Sequence, residues 1–186
     1  MGFRQRQLGL LLMLGIVFGS FGPSLGRQPA IVMPSLALIG PSGPQSARIP
    51  FDIRVRVSDV TALGAFELDL DYDRSRLRLI GATLGDFLGR QSDCNPAIER
   101  CSISLSPRDQ SNIVELGAYS YGTGDGADGD GMLLILHFQP SGRGGVARLC
   151  ITRALLADTH AVALAPTTVD TTVQIATLVY LPVVRR

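Results

Sequence analysis

Tryptophan and lysine are both missing from this sequence, and aromatic residues make up only 6% of it. The absence of Trp removes the ring best suited to stacking on a sugar face. With no Lys, all 17 basic residues are Arg; 16 acidic residues balance them to a formal charge of +1, and no dense basic cluster occurs. The electrostatic footprint of a nucleic-acid binder is therefore missing, and nucleic acid is not an expected partner. The bias towards Arg decides nothing about function by itself. A length of 186 residues leaves room for one ordinary domain plus short extras and excludes two large ones.

Long apolar runs are also scarce. The one at the start, Leu8 to Phe18, follows Arg4 and Arg6 and precedes the small and turn-forming residues Gly19, Ser20, Gly22, Pro23, Ser24 and Gly26. It is shorter than the roughly 20 residues a spanning helix needs, so residues 1–26 read as a signal peptide, with an uncleaved or lipid-associated N-terminus as the alternative. Without them the chain loses Arg4 and Arg6 and no acid, which leaves 15 basic and 16 acidic residues and a charge of −1. Residues 27–47 form a Pro-, Gly- and Ser-rich lead-in, in which Ile31 to Ile39 is one candidate strand.

What the chain has in quantity is alternation. Phe51, Ile53, Val55 and Val57 interleave with Asp52, Arg54, Arg56 and Ser58; Phe66, Leu68, Leu70 and Tyr72 interleave with Glu67, Asp69, Asp71 and Asp73. These are half-buried strands separated by a turn at Asp59-Val60. Leu77 to Leu79, Ile103 to Leu105, Ile113 to Tyr121, Met132 to Phe138, Val146 to Ile151 and Val169 to Ile175 continue the series between Gly, Pro, Asp and Ser. No run has useful helical periodicity. About nine short strands over residues 48–176 predict an all-β, antiparallel β-sandwich. Leu178 to Val184 is apolar around Pro182, so residues 177–186 read as an edge strand or exposed tail.

The order of these signals is similar to that of a cohesin domain: Phe51 to Val60, Gly64-Ala65, Leu68-Asp69-Leu70-Asp71-Tyr72-Asp73 and Leu77-Arg78-Leu79, then Gly129-Asp130-Gly131 running into Met132 to Phe138, then Leu149-Cys150-Ile151 and Ala157-Asp158. The resemblance spans about residues 30–175. It implies a nine-stranded jelly-roll related to carbohydrate-binding sandwiches, and a non-catalytic module that docks dockerin modules of secreted polysaccharide-degrading enzymes.

Few residues invite other chemistry. His137 and His160 are the only histidines, and neither stands in a catalytic or zinc motif; there is no CxxC or HExxH. Surface positions are expected for both, and the chain does not read as an enzyme. In an exported protein, Cys94 and Cys101 bracket a short loop that can close as a disulfide, with pairing to Cys150 or no bond as alternatives. Asp125, Asp128 and Asp130 suggest calcium, but their spacing fits no EF-hand and no closing Glu follows, so a solvated turn is expected and no cofactor is implied.

The informative pattern is the outward one. With Leu68, Leu70 and Tyr72 inward, Glu67, Asp69 and Asp71 form an acidic row facing out. By the same rule Glu115, Tyr119 and Tyr121 face out, and so do Leu133, Ile135 and His137. The resemblance places these three strands side by side in the sheet that receives the partner, which makes the nine residues the expected partner-binding patch. A covering by the Pro-rich segment or the tail is the alternative. The function expected is an exported, extracellular or cell-surface docking module for a dockerin-like partner; direct polysaccharide binding through Tyr119 and Tyr121, or a structural envelope role, are the alternatives.

Overall fold

The structure, a computed structural model, describes residues 33–110 and 113–177. The signal-peptide reading of 1–26, the start of the lead-in and the tail from 178 lie outside them. Alternation places every second side chain on one side of a strand, and strand β3 (Phe51–Tyr72) keeps to that rule over most of its 22 residues. Phe51, Ile53, Val55 and Val57 are buried in its first half, and Phe66, Leu68, Leu70 and Tyr72 in its second.

The two halves belong to different sheets. In the first sheet the order is β11 (Thr167–Val169), β1 (Ser35–Ile39), the first half of β3, β8 (Ala127–Pro140) and β4 (Leu77–Leu84). In the second, β5 (Arg100–Ser104) and β6 (Arg108–Gln110) lie one after the other along one edge of β7 (Ile113–Gly122), whose other edge pairs with the second half of β3, followed by β9 (Gly145–Asp158), β12 (Thr171–Ala176) and β2 (Gln45–Ser46). The short β10 (Ala163–Leu164) pairs with the end of β9. Among the described strand pairs, β1–β11 and β2–β12 are parallel and the rest antiparallel. One continuous cluster of buried residues fills the space between the sheets, with Phe51 and Tyr72 both packed on Phe138. The expected sandwich is therefore present.

The expected turn at Asp59-Val60 is not a turn between strands. The backbone stays extended overall and bends from one sheet into the other through two register shifts, with Asp59 and Ala62 at positive φ (59° and 51°). Such bulges free backbone donors, and two carboxylates of the Gly-rich stretch take them up. The Asp59 N–H donates to Asp130 Oδ1 at 3.0 Å and the Ala62 N–H to Asp128 Oδ1 at 2.7 Å, while Arg56 pairs with Asp130 at 2.9 Å. Gly126 lies so close that a Cβ there would come within 2.2 Å of the Ala62 carbonyl.

A second bulge shifts β8 between Leu134, which pairs with Val55, and Met132, which pairs with Arg56. Leu133 and Leu134 are consequently both buried, whereas Met132 is half-exposed. Next to this bulge the only helical turn among the described residues, Asp86–Leu88, sets Phe87 against Gly131 and buries Leu88.

Candidate functional site

The outer face of the second sheet carries most of the residues expected from alternation. Glu67, Asp69 and Asp71 point outward from β3, and Glu115, Tyr119 and Tyr121 from the neighbouring β7. Tyr119 and Tyr121 are 42% and 39% exposed, with ring centroids 6.4 Å apart and planes inclined by 51°. Ala65 stands opposite Tyr119, Glu67 opposite Gly117, and Asp69 opposite Glu115.

The remaining three residues of the expected patch do not join it. β8 pairs with the first half of β3 and with β4, which puts Ile135 and His137 on the outer face of the other sheet. Leu133 is 0% exposed, because the bulge turns it inward and makes it part of the core. His137 is engaged where it stands: its Nδ1 lies 2.7 Å from Asp52 Oδ1 and its Nε2 lies 2.8 Å from Thr83 Oγ1. These are cross-strand neighbours on an open sheet face, and the Asp52 side chain is 54% exposed, so water competes for every polar atom of the trio. His160 is in a turn closed by Asp158, whose carboxylate accepts from the His160 and Val162 N–H groups.

Residues not expected from the sequence complete the face. Leu105 runs out beside β7, its N–H donating to the Gly117 carbonyl at 2.8 Å, and its side chain lies over Gly117, where a Cβ would come within 3.2 Å of Leu105 Cδ1. Leu155 of β9 sits across from Glu67. Together Ala65, Leu105, Tyr119, Leu155 and Ala163 line an apolar groove of about 320 Å³. Glu67 borders both this groove and an adjoining one of about 340 Å³, which Arg108 and Glu115 also line. Leu105 was readable as apolar, but its place on this face depends on the path of the chain between β5 and β6.

Charge on the face is only partly compensated. Arg153 of β9 pairs with Glu67 at 2.8 Å and approaches Asp69 at 3.8 Å. Asp69 and Glu115, carboxylates directly opposite on neighbouring strands, oppose each other electrostatically, and Asp69 Oδ1 is a buried atom with no hydrogen-bond donor among the described residues. The Pro-rich residues Pro41 and Pro44 lie against Val146, Thr172 and Gln174 at the other edge of the sheet, away from the tyrosines.

Cys94 and Cys101 are joined, with Cα atoms 5.7 Å apart, and Cys150 is free. Burial, and then the neighbouring Asp170 carboxylate, push the Cys150 thiol above its ordinary value, which keeps it protonated and weakly nucleophilic at neutral pH. Asp128 and Asp130 spend carboxylate oxygens on β3, and the Asp59 N–H, followed by Arg56, holds Asp130 below the usual carboxylate range. The described residues contain no group of three or more potential ligands placed to hold a metal ion.

No protein-family model and no curated protein matches the sequence. Solved structures do match in fold. A non-cellulosomal cohesin from the hyperthermophilic archaeon Archaeoglobus fulgidus superposes with a TM-score of 0.59 at 16% identity, covering 78% of this chain and 92% of that one. A type I cohesin–dockerin complex from Clostridium thermocellum gives 0.61 at 14% identity over 78% and 100% of the two chains. The cohesin module of a Clostridium perfringens family 33 glycoside hydrolase gives 0.60 at 13%, over 78% and 98%. The sandwich is thus that of a cohesin fold.

Proposed function

We propose that this chain is a non-catalytic docking module whose outer face on the second sheet receives a dockerin-like protein. The observation that carries the reading is the composition of that face: exposed Tyr119, Tyr121, Leu105 and Leu155 stand beside Glu67, Asp69 and Glu115, on a fold shared with modules solved in complex with dockerins. Apolar and aromatic anchors rimmed by charge are the usual make-up of a protein-binding patch. Two rings inclined by 51° do not form one flat platform, which weighs against direct sugar stacking. The leader-like residues 1–26 and the Cys94–Cys101 disulfide support an exported protein, secreted or held at the cell surface. A role in extracellular polysaccharide breakdown is the finer part of the proposal; a glycoside hydrolase carries one of the structurally similar modules.

The test is calorimetric titration of the full chain with recombinant dockerin modules from its own organism, in parallel with soluble polysaccharides. Saturable binding of a dockerin that weakens in Tyr119→Ala supports the reading. Binding of a polysaccharide alone, or of neither ligand class, overturns it.

A further inference from the structure

The loop closed by the disulfide belongs to the same side of the molecule as the docking face. Cys101 stands opposite Tyr121 in the β5–β7 pair, and directly paired residues share a sheet face, so the Cys101 sulfur is on the outward side with the tyrosine. Its exposure is nevertheless only 1%. The bonded segment explains this, because the disulfide brings Cys94 and the residues after it to that side. Pro96 sits against Gly122, where a Cβ would come within 3.0 Å of Pro96 Cα, and its carbonyl accepts the Thr123 N–H at 3.0 Å.

The turn is also built to hold its shape. The Ile98 and Glu99 N–H groups donate to the Asn95 carbonyl, the Ala97 N–H donates to Asn95 Oδ1, and Glu99 Oε1 accepts from the Asn95 N–H in return. Arg100, the next residue, donates to Ser120 Oγ of β7 at 3.0 Å and to the Gly124 carbonyl just beyond that strand at 2.7 Å. At the top of this fixed turn is Ile98. It is 78% exposed, more than any other large apolar side chain among the described residues. A single exposed aliphatic residue is ordinary on a protein surface. This one belongs to a turn held by a covalent link and a closed set of hydrogen bonds, and the turn is tied through Cys101 to the strand pair that carries Tyr121 and the exposed Ile103, which pairs with Tyr119.

We propose that the Cys94–Cys101 turn is a second contact lobe of the docking face, and that Ile98 is a specificity-determining residue inserting into an apolar pocket of the docked dockerin-like module. The proposal rests on the docking reading above. A turn whose backbone is fixed before binding loses little freedom on contact, so it adds affinity that a flexible loop of the same composition would not. The chemistry asked of the partner is an apolar recess placed to meet Ile98 when its recognition surface lies over Tyr119 and Tyr121.

The experiment measures dissociation constants of the full chain for the same panel of dockerin modules. The variants are Ile98→Asp, Ile98→Leu, the double change Cys94→Ser with Cys101→Ser, and Ile49→Asp as an exposed apolar control in a different cavity, beside Ala47 and Ala176. Expected are about tenfold weaker binding for Ile98→Asp, near wild-type binding for Ile98→Leu and Ile49→Asp, and a loss of several-fold for the double Ser variant. Ile98 is 78% exposed and not part of the core, so Ile98→Asp decides the matter even if the double Ser variant folds poorly. Binding within twofold of wild type for Ile98→Asp, while Tyr119→Ala weakens it, overturns the lobe and leaves the docking face standing. Failure of every dockerin to bind the unaltered chain overturns both.

Discussion

The two halves of β3 are alike on the inside and different on the outside. Both bury an unbroken row of aliphatic and aromatic residues. Outside, the first half presents Asp52, Arg54 and Arg56 and the second presents Glu67, Asp69 and Asp71. On the first sheet Asp52 is tied to His137 and Arg56 to Asp130. On the second, Asp69 keeps an oxygen without a donor among the described residues and faces Glu115, and the tyrosines on the same face are partly exposed to water. An inward row needs only volume and apolarity, so it specifies the sandwich without distinguishing its sheets. The outward row is under no such constraint, and that is where one face differs from the other.

The largest effect is expected at the bend that separates the halves. Gly126→Val places a side chain against the Ala62 backbone, which cannot retreat without moving both sheets, and should cost about 3 kcal/mol of stability. Thermal melting of the variant checks this; a melting temperature equal to wild type would mean that the crossing is looser than its contacts indicate. The contrast between faces is sharpened by binding. Tyr119→Ala should weaken dockerin binding by about 2 kcal/mol, while His137→Ala on the other sheet leaves the affinity unchanged. Equal losses from the two would erase the distinction between the faces.

A smaller effect is expected from Asp128→Ala, which strands the Ala62 N–H and should remove about 1 kcal/mol of stability, measurable by urea titration. Acid should produce the smallest change. Asp130, held low first by the Asp59 N–H, and Asp73, held low first by the Ser75 hydroxyl, both have folded values below the ordinary carboxylate value of about 3.9. Their contribution is complete above that value and is lost as pH falls through the folded values. Melting temperatures recorded between pH 7 and pH 3 should therefore stay level with respect to these groups until about pH 4 and drop below it, and the drop should be smaller in Asp130→Asn.

Period-two alternation made the inward rows of β3 legible, together with the outward positions of Glu67, Asp69, Asp71, Glu115, Tyr119 and Tyr121, because side-chain direction in a strand is a local property. The short spacing between Cys94 and Cys101 was legible for a similar reason. Which strands lie side by side was not. Met132 to Phe138 alternates as well as any other segment, yet its neighbours are set by pairings with Phe51 to Val57 and Leu77 to Leu84 far away in the chain. The bulge that hides Leu133 arises in the register with Val55 and Arg56, so nothing in the run Met132-Leu133-Leu134 announces it. The same holds for the bend at Asp59: Asp128 and Asp130 look like a solvated loop until the donors they serve are in place.

A strand shared by both sheets also sets the order in which the protein can be made. Phe51 pairs with Phe138 and Leu68 with Ala154, so neither half of β3 finds its late partners until most of the chain has emerged. Non-local pairing of this kind slows folding and leaves apolar rows uncovered in the interval. Because one strand serves both layers, a chain cut between β7 and β8 would carry β3 with an unpaired edge in each sheet, and no half of the sandwich is a stable intermediate stop. The protein is therefore expected to fold in a single cooperative step that begins only when β9 is available, with exposure to aggregation and proteolysis concentrated before that moment.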